Sequence, residues 1–184
     1  MKLLRKNCEK FEIPQNFYVF IVKITIMEQL DKRDIEILKL LQKNCRMTAK
    51  EIARKIGSPI TTVYAKIKRM EGLGVIKHYK AILDSKKLDR GTTAFVLMSF
   101  AYRPGGREKP LSQRDVAKQI AAFPEVQEVH IITGGWDILV KVKADHVDTL
   151  GKLVMDKLRM VEGIENTLSC IVYETVKETT DVLT

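Results

Sequence analysis

The strongest constraint on this chain is the junction Gly57-Ser58-Pro59, which leaves no room for a loop between two amphipathic segments. Glycine suits the left-handed position that closes a helix, and serine is a favoured N-cap. Proline fits the first helical position, where no amide hydrogen is needed. The segment before the junction opens on Thr48-Ala49-Lys50-Glu51, a capping box, and turns Ile52, Ala53 and Ile56 inward. The segment after it runs to about Glu71, with Val63, Ile67 and Met70 facing in. A longer helix precedes both. Asp31 is its N-cap, Ile35, Leu38 and Leu41 with Ile37 beside them form its apolar side, and it ends near Asn44. One longer helix and two short ones joined by a tight turn make the pattern of a helix-turn-helix. Gly72 and Gly74 end the third helix. Val75–Ile82 then alternates as a strand does, either a wing or the first strand of a linker.

Charge agrees with that pattern. The 184 residues carry 32 Lys and Arg against 23 Asp and Glu, a formal net charge of +9. Residues 1–80 hold 18 basic and 8 acidic side chains, net +10, and residues 81–184 hold 14 and 15, net −1. The excess lies wholly in the helical part, where residues 31–80 alone are net +8. A solvated lysine-rich surface would show the same excess. Caps, turn and charge together point instead to a polyanion, and to double-stranded DNA in particular. In a helix-turn-helix the start of the last helix approaches base edges. Ser58, Thr61 and Thr62 stand there, and a threonine can donate, accept or touch a thymine methyl. Tyr64 and Ala65 face the groove or flank it. Lys50 and Arg54 on the second helix, Lys66 and Lys68 on the third, and Arg46 between the first two are the candidate phosphate partners, and Arg69 on the third helix is a further candidate DNA contact.

The second half reads as β-α-β-β-α-β, the order of a ferredoxin-like split βαβ fold. Thr93–Ala101 is an apolar strand, followed by a polar loop with Pro104, Gly105, Gly106 and Pro110. Ser112 caps a helix through Val116, Ile120 and Phe123, stopped at Pro124. Val126–Thr133 and Asp137–Lys143 are strands about a turn at Gly134-Gly135. A helix covers Val147 to about Met160, with Leu150, Val154 and Leu158 toward the sheet, and Ile164–Tyr173 is the last strand. The expected class is therefore α+β, a winged helix-turn-helix over residues 28–84, a linker over 85–92, a ferredoxin-like domain over 93–178 and a tail over 179–184. Helices cover only one face of such a sheet, and its strands are too apolar for the other face to stay wet, so that face is expected to meet a second copy. Residues 1–27 are an extension in which a basic run leads through Pro14 to NFYVFIVKITI. No small-residue cleavage site follows, which argues against a secretory leader. The segment packs on the body, stays poorly ordered, or precedes a translation start at Met27.

Nothing in the sequence assembles a catalytic or metal site. His78, His130 and His146 stand in no metal-ligand or nucleophile-activating pattern, and neither a P-loop nor a GxSxG or GxGxxG sequence is present. Cys8, Cys45 and Cys170 lie far apart, which suits a reduced, cytoplasmic protein. No apolar run reaches the roughly 18 residues of a membrane span. The expectation is a non-enzyme without cofactor, metal or membrane partner.

Leu30-Asp31, Asp34-Ile35-Glu36-Ile37-Leu38, Leu41-Gln42, Glu51-Ile52-Ala53, Ser58, Val63, Lys66-Ile67, Arg69-Met70, Leu73-Gly74-Val75-Ile76 and Ala81-Ile82-Leu83-Asp84 resemble, in that order, the Lrp/AsnC family, the feast/famine regulatory proteins. Pro124-Glu125-Val126, Thr133-Gly134, Asp137 and Val161-Glu162-Gly163-Ile164 extend the resemblance through the second half, so that it covers about residues 28–178. The loop Tyr102–Leu111 is longer than the family's usual connection, and residues 1–26 exceed its usual arm, which begins near Met27. The resemblance implies a transcriptional regulator that forms dimers and then tetramers, octamers or larger rings, and that responds to an amino acid or related effector. It places the effector at Thr133, Gly134, Gly135, Trp136 and Asp137. There, adjacent glycines expose backbone donors, Thr133 and Asp137 can orient an amino group, and Trp136 supplies an apolar wall. A tight hairpin with a buried tryptophan is the plain alternative. Two further functions compete: an architectural DNA-wrapping protein without effector, and a ligand-sensing oligomer that has lost DNA binding.

Overall fold

The first helix, α1 (Lys32–Lys43), starts in a reciprocal cap. The Asp31 carboxylate accepts from the Asp34 amide at 2.9 Å, and Asp34 accepts from the Asp31 amide at 2.8 Å. The computed structural model describes residues 30–182 apart from Arg107, so the expectations for residues 1–27 fall outside the described residues. Thr48 and Glu51 form the expected capping box at the start of α2 (Ala49–Ile56), which closes where Gly57 takes φ +61°. At that closure the Ser58 amide donates to the Ala53 carbonyl at 3.0 Å. Serine is thereby engaged in ending α2, and α3 (Ile60–Gly72) starts one residue later than expected, with Pro59 as an N-cap that has no side-chain bond. The Ser58 hydroxyl is buried and has no hydrogen-bond partner among the described residues. The three helices close on Ile37, Leu41, Ile52, Ala53, Val63 and Met70.

The strand expected over Val75–Ile82 is absent. The Val75 and Ile76 amides both donate to the Met70 carbonyl, finishing α3, and the residues beyond have no strand to pair with among the described residues. Alternation of apolar side chains makes a strand only where a partner supplies the ladder. The described chain divides into two compact units, one up to Ala81 with the residues after Glu178, the other Ile82–Glu178. In the first, Val182 exchanges two hydrogen bonds with the Gln42 side chain, at 2.6 and 3.2 Å.

In the second unit, β1 (Thr92–Phe100), α4 (Gln113–Ala121), β2 (Val126–Ile131), β3 (Ile138–Ala144), α5 (beginning at Val147–Lys152) and β4 (Ile164–Ile171) follow in the expected order. The sheet runs β2-β3-β1-β4 and every pair is antiparallel. Period-two patterning puts Ala94, Val96 and Met98 of β1 and Ile138, Val140 and Val142 of β3 on one face, under α4 and α5. The expected single helix after Val147 is α-helical only to Lys152. It widens to a π-helical stretch over Leu153–Lys157 and tightens to a 3-10 turn at Leu158–Met160. Leu150, Leu153, Val154 and Leu158 all reach the core. Gly163 follows with φ +94°, where a Cβ would stand 2.7 Å from the Phe100 ring and 2.9 Å from Leu111. The opposite sheet face carries Phe95, Leu97, Leu139 and Leu168, with Phe95 and Leu168 exposed.

Candidate nucleic-acid interface

The outer side of α3 is built by what its inner side does. Val63 and Met70 are fully buried against the α1 and α2 core, so the rotation of the helix is fixed. Ile60, Thr61, Tyr64, Ala65 and Lys68 are then left exposed, with Thr62 half-buried. Thr61, Thr62, Ala65, Lys66 and Arg69 line one open depression of about 450 Å³. Arg46, Lys50 and Arg54 are exposed and carry no ion pair among the described residues. The structure thus gathers Thr61, Thr62 and Ala65 on one face of α3, with exposed cations on α2 and beside it. Ser58 is half-buried in the junction.

Three expected DNA contacts, Lys66, Lys68 and Arg69, are engaged within the protein. The Lys66 ammonium lies 2.5 Å from the Asp31 carboxylate and 3.2 Å from that of Asp34, and the Arg69 guanidinium lies 2.5 Å from Asp34. Asp34 has no exposed surface. The Lys66 hydrogen bond, followed by the bond from the Asp34 amide, holds the Asp31 carboxyl down at about 2. Burial pulls the Lys66 ammonium down, but its bonds to Asp31 and Asp34 outweigh that and raise it on balance. Lys68 makes an exposed pair with Glu71 at 2.8 Å, and its ammonium lies 6.0 Å from the centre of the Tyr64 ring. Glu71 also accepts from the Tyr79 hydroxyl at 3.0 Å. Burial, then Glu71, pushes that phenol up to about 12.

Sequence reasoning missed the carboxylates that hold Lys66 and Arg69. The signal was present: Asp34 stands three, four and seven residues before Ile37, Leu38 and Leu41, which puts it on the inward stripe of α1.

In the second unit, Thr133, Gly134 and Gly135 are exposed, Trp136 is half-buried, and Gly134 has φ +121°. Asp137 is occupied by the fold. Its carboxylate accepts from the Phe100 amide at 2.8 Å, its amide donates to the Met98 carbonyl at 3.0 Å, and its carbonyl accepts from Ile132 at 2.9 Å and from the Gln113 side chain at 3.2 Å. Gln113 in turn accepts from the Tyr102 hydroxyl at 3.3 Å. The longer loop and the start of α4 therefore reach the same hairpin. No local pattern in the sequence announces that long-range meeting.

Residues 93–182 match the Lrp/AsnC ligand binding domain, and residues 30–77 match a winged helix-turn-helix DNA-binding domain. An HTH-type transcriptional regulator of Pyrococcus abyssi is 42% identical over 151 residues, 82% of this chain and 97% of the relative. The chain belongs to the Lrp/AsnC family. A Neisseria meningitidis transcriptional regulator, solved as a complex with L-Met, is 26% identical with a TM-score of 0.77, over 84% of this chain and 97% of that one. An AsnC family transcriptional regulator of Agrobacterium tumefaciens is likewise 26% identical, with a TM-score of 0.75 over 84% and 97%. This Lrp/AsnC chain is a DNA-binding transcriptional regulator and not an enzyme. Among its described residues no helix is long and apolar enough to cross a membrane.

Proposed function

We propose that this Lrp/AsnC regulator binds particular operator sequences in the cytoplasm and that an amino acid or related molecule, held at the Thr133–Asp137 turn, modulates the binding. The observation that carries the first part is the outer face of α3. Thr61, Thr62 and Ala65 are presented on a helix whose orientation is fixed by Val63 and Met70, so short side chains can be inserted into a major groove in one register. The match of residues 93–182 to a ligand binding domain supports the second part. The open sheet face with Phe95, Leu97, Leu139 and Leu168 suits a two-fold contact with another copy. Such a dimer would set two reading helices about 34 Å, or a multiple of that, apart.

Selection from a random duplex pool, followed by scrambling of the enriched site, tests the first part. Specific binding loses most of its affinity on scrambling. An architectural protein binds both duplexes equally and with the same steep salt slope. Calorimetry with a panel of amino acids tests the second: binding of one or more supports it, and no heat with any refutes it.

A further inference from the structure

Guanine is read in the major groove mainly by arginine or lysine donors to its O6 and N7. On α3 three cations flank the reading face: Lys66 and Arg69 are drawn back toward α1 by Asp31 and Asp34, and Lys68 is paired at the surface with Glu71. Asp34 is fully buried, so solvent cannot take the place of its cationic partners. What remains in the depression between their stems are Thr61, Thr62 and Ala65, which offer methyls and single hydroxyls. Such side chains cannot form a two-pronged donor fork, but they pack against the C5 methyl of thymine. Resting on the operator-binding reading above, we infer that Thr61, Thr62 and Ala65 select thymine in the contacted major groove, and that Asp31 and Asp34 sharpen this selection by withholding Lys66 and Arg69 from the DNA. The two aspartates touch no base; they are positioning residues. Their effect is a lower sequence-independent affinity and so a larger ratio of specific to unspecific binding.

The experiment uses the full chain and a duplex enriched from a random pool. Thymines are replaced by deoxyuracil at the positions whose preference relaxes in Thr62→Ala. Each methyl removed weakens binding about four-fold, the worth of one buried methyl group. Asp34→Asn removes the carboxylate that holds Arg69 and leaves Lys66 only its bond to Asp31. Binding to unselected duplex then tightens, the slope of log affinity against log salt steepens by about 0.9 for each phosphate newly neutralised, and the ratio of selected to unselected binding falls. If Asp34→Asn does not fold, Asp31→Asn removes the shorter of the two Lys66 ion pairs and carries the test on the weakened hold of Lys66, because asparagine caps a helix as well as aspartate. The inference is overturned if the uracil duplex binds as tightly as the thymine duplex. It is equally overturned if the contacted positions prove to be guanines whose preference disappears in Arg69→Met, or if the folded aspartate variant leaves slope and ratio unchanged. Failure of any sequence to be enriched defeats the operator reading itself, and this inference with it.

Discussion

Replacing Lys66 by Met separates the two roles a lysine on a reading helix can have. The substitution keeps the aliphatic stem and deletes the ammonium. Asp34 Oδ1 then loses its donor at 3.2 Å, while Oδ2 keeps Arg69 at 2.5 Å and the Asp31 amide at 2.8 Å. Losing one bond to a buried carboxylate costs about 1.5–3 kcal/mol. The remaining arginine keeps the loss below the roughly 3–5 kcal/mol of a wholly unpaired buried charge. Lys66→Met should therefore lower stability by about 2 kcal/mol and leave the salt slope of DNA binding as it was. Lys68→Met should do the reverse. Its partner Glu71 is on the surface, so stability holds, while the slope falls by about 0.9 for each phosphate that Lys68 no longer neutralises in a bound subunit. The single tryptophan, Trp136, lies in the other unit, so urea unfolding is followed by the circular dichroism of the helices and not by its fluorescence. Binding is followed by anisotropy of a labelled duplex over several salt concentrations. A Lys66→Met protein of native stability whose slope has dropped by about one unit would refute the assignment of Lys66 to the internal cluster.

Gly163→Ala should destabilise by about 2–5 kcal/mol, from the left-handed backbone and a Cβ at 2.7 Å from Phe100, whereas Gly151→Ala, in a helix with open space around it, should stabilise by about 0.5–1 kcal/mol; denaturant midpoints of the two variants check the opposite signs. Asp31 is held at about 2 by Lys66 and the Asp34 amide, and Glu51 and Glu71 are lowered by their bonds to Thr48 and to Lys68 and Tyr79. Their contribution is complete above the ordinary carboxylate range and is lost as pH falls from about 4 toward 2. Tyr79, raised to about 12, adds stability below pH 10 that is lost as pH rises through 10 to 12; Asp31→Asn and Tyr79→Phe should flatten the acid and alkaline limbs of a melting profile, each separately. Asp137→Ala leaves the Phe100 amide without its acceptor, an expected loss of about 1–3 kcal/mol, and calorimetry then shows whether amino-acid affinity falls beyond what the remaining folded fraction explains. Leu168→Lys puts a charge on the open sheet face, and sedimentation should show a smaller species than the unaltered protein.

Features with a local cause were legible in the sequence. Asp31 as an N-cap and Thr48 with Glu51 as a capping box announce helix starts because a cap is made among adjacent residues, whereas the return bond from Asp34 to Asp31 came from the structure. The period-two run Ile138 to Ala144 announces a core strand because one face is buried. Ser58 was misplaced by one position: its amide ends α2 by donating to Ala53, its hydroxyl takes no partner among the described residues, and Pro59 is the residue that precedes α3. Val75–Ile82 carries a strand's pattern without a strand's partner. At the candidate site, Thr62 is half-buried, and the exposure of Thr61 and Ala65 beside it followed from helical spacing. The capture of Lys66 and Arg69 did not, because a sequence of free lysines and one of paired lysines read alike until α1 is laid against α3. Asp137 was legible as a turn residue and not as the acceptor for Phe100, which stands 37 positions away.

The turn at Gly57 has a consequence for how a family of such readers can diversify. Gly57 and Ser58 complete α2, and Pro59 begins α3, so the junction has no spare residue. One inserted residue continued in helical geometry would rotate everything after it by about 100°. Such a rotation would bring Val63 toward solvent and the threonines toward the core. Length at this point is therefore frozen by geometry. Substitution on the outer face of α3 is not, since those side chains contribute little to the core beneath them. New operators can accumulate there one side chain at a time while the hinge between the two helices keeps the same three residues' length.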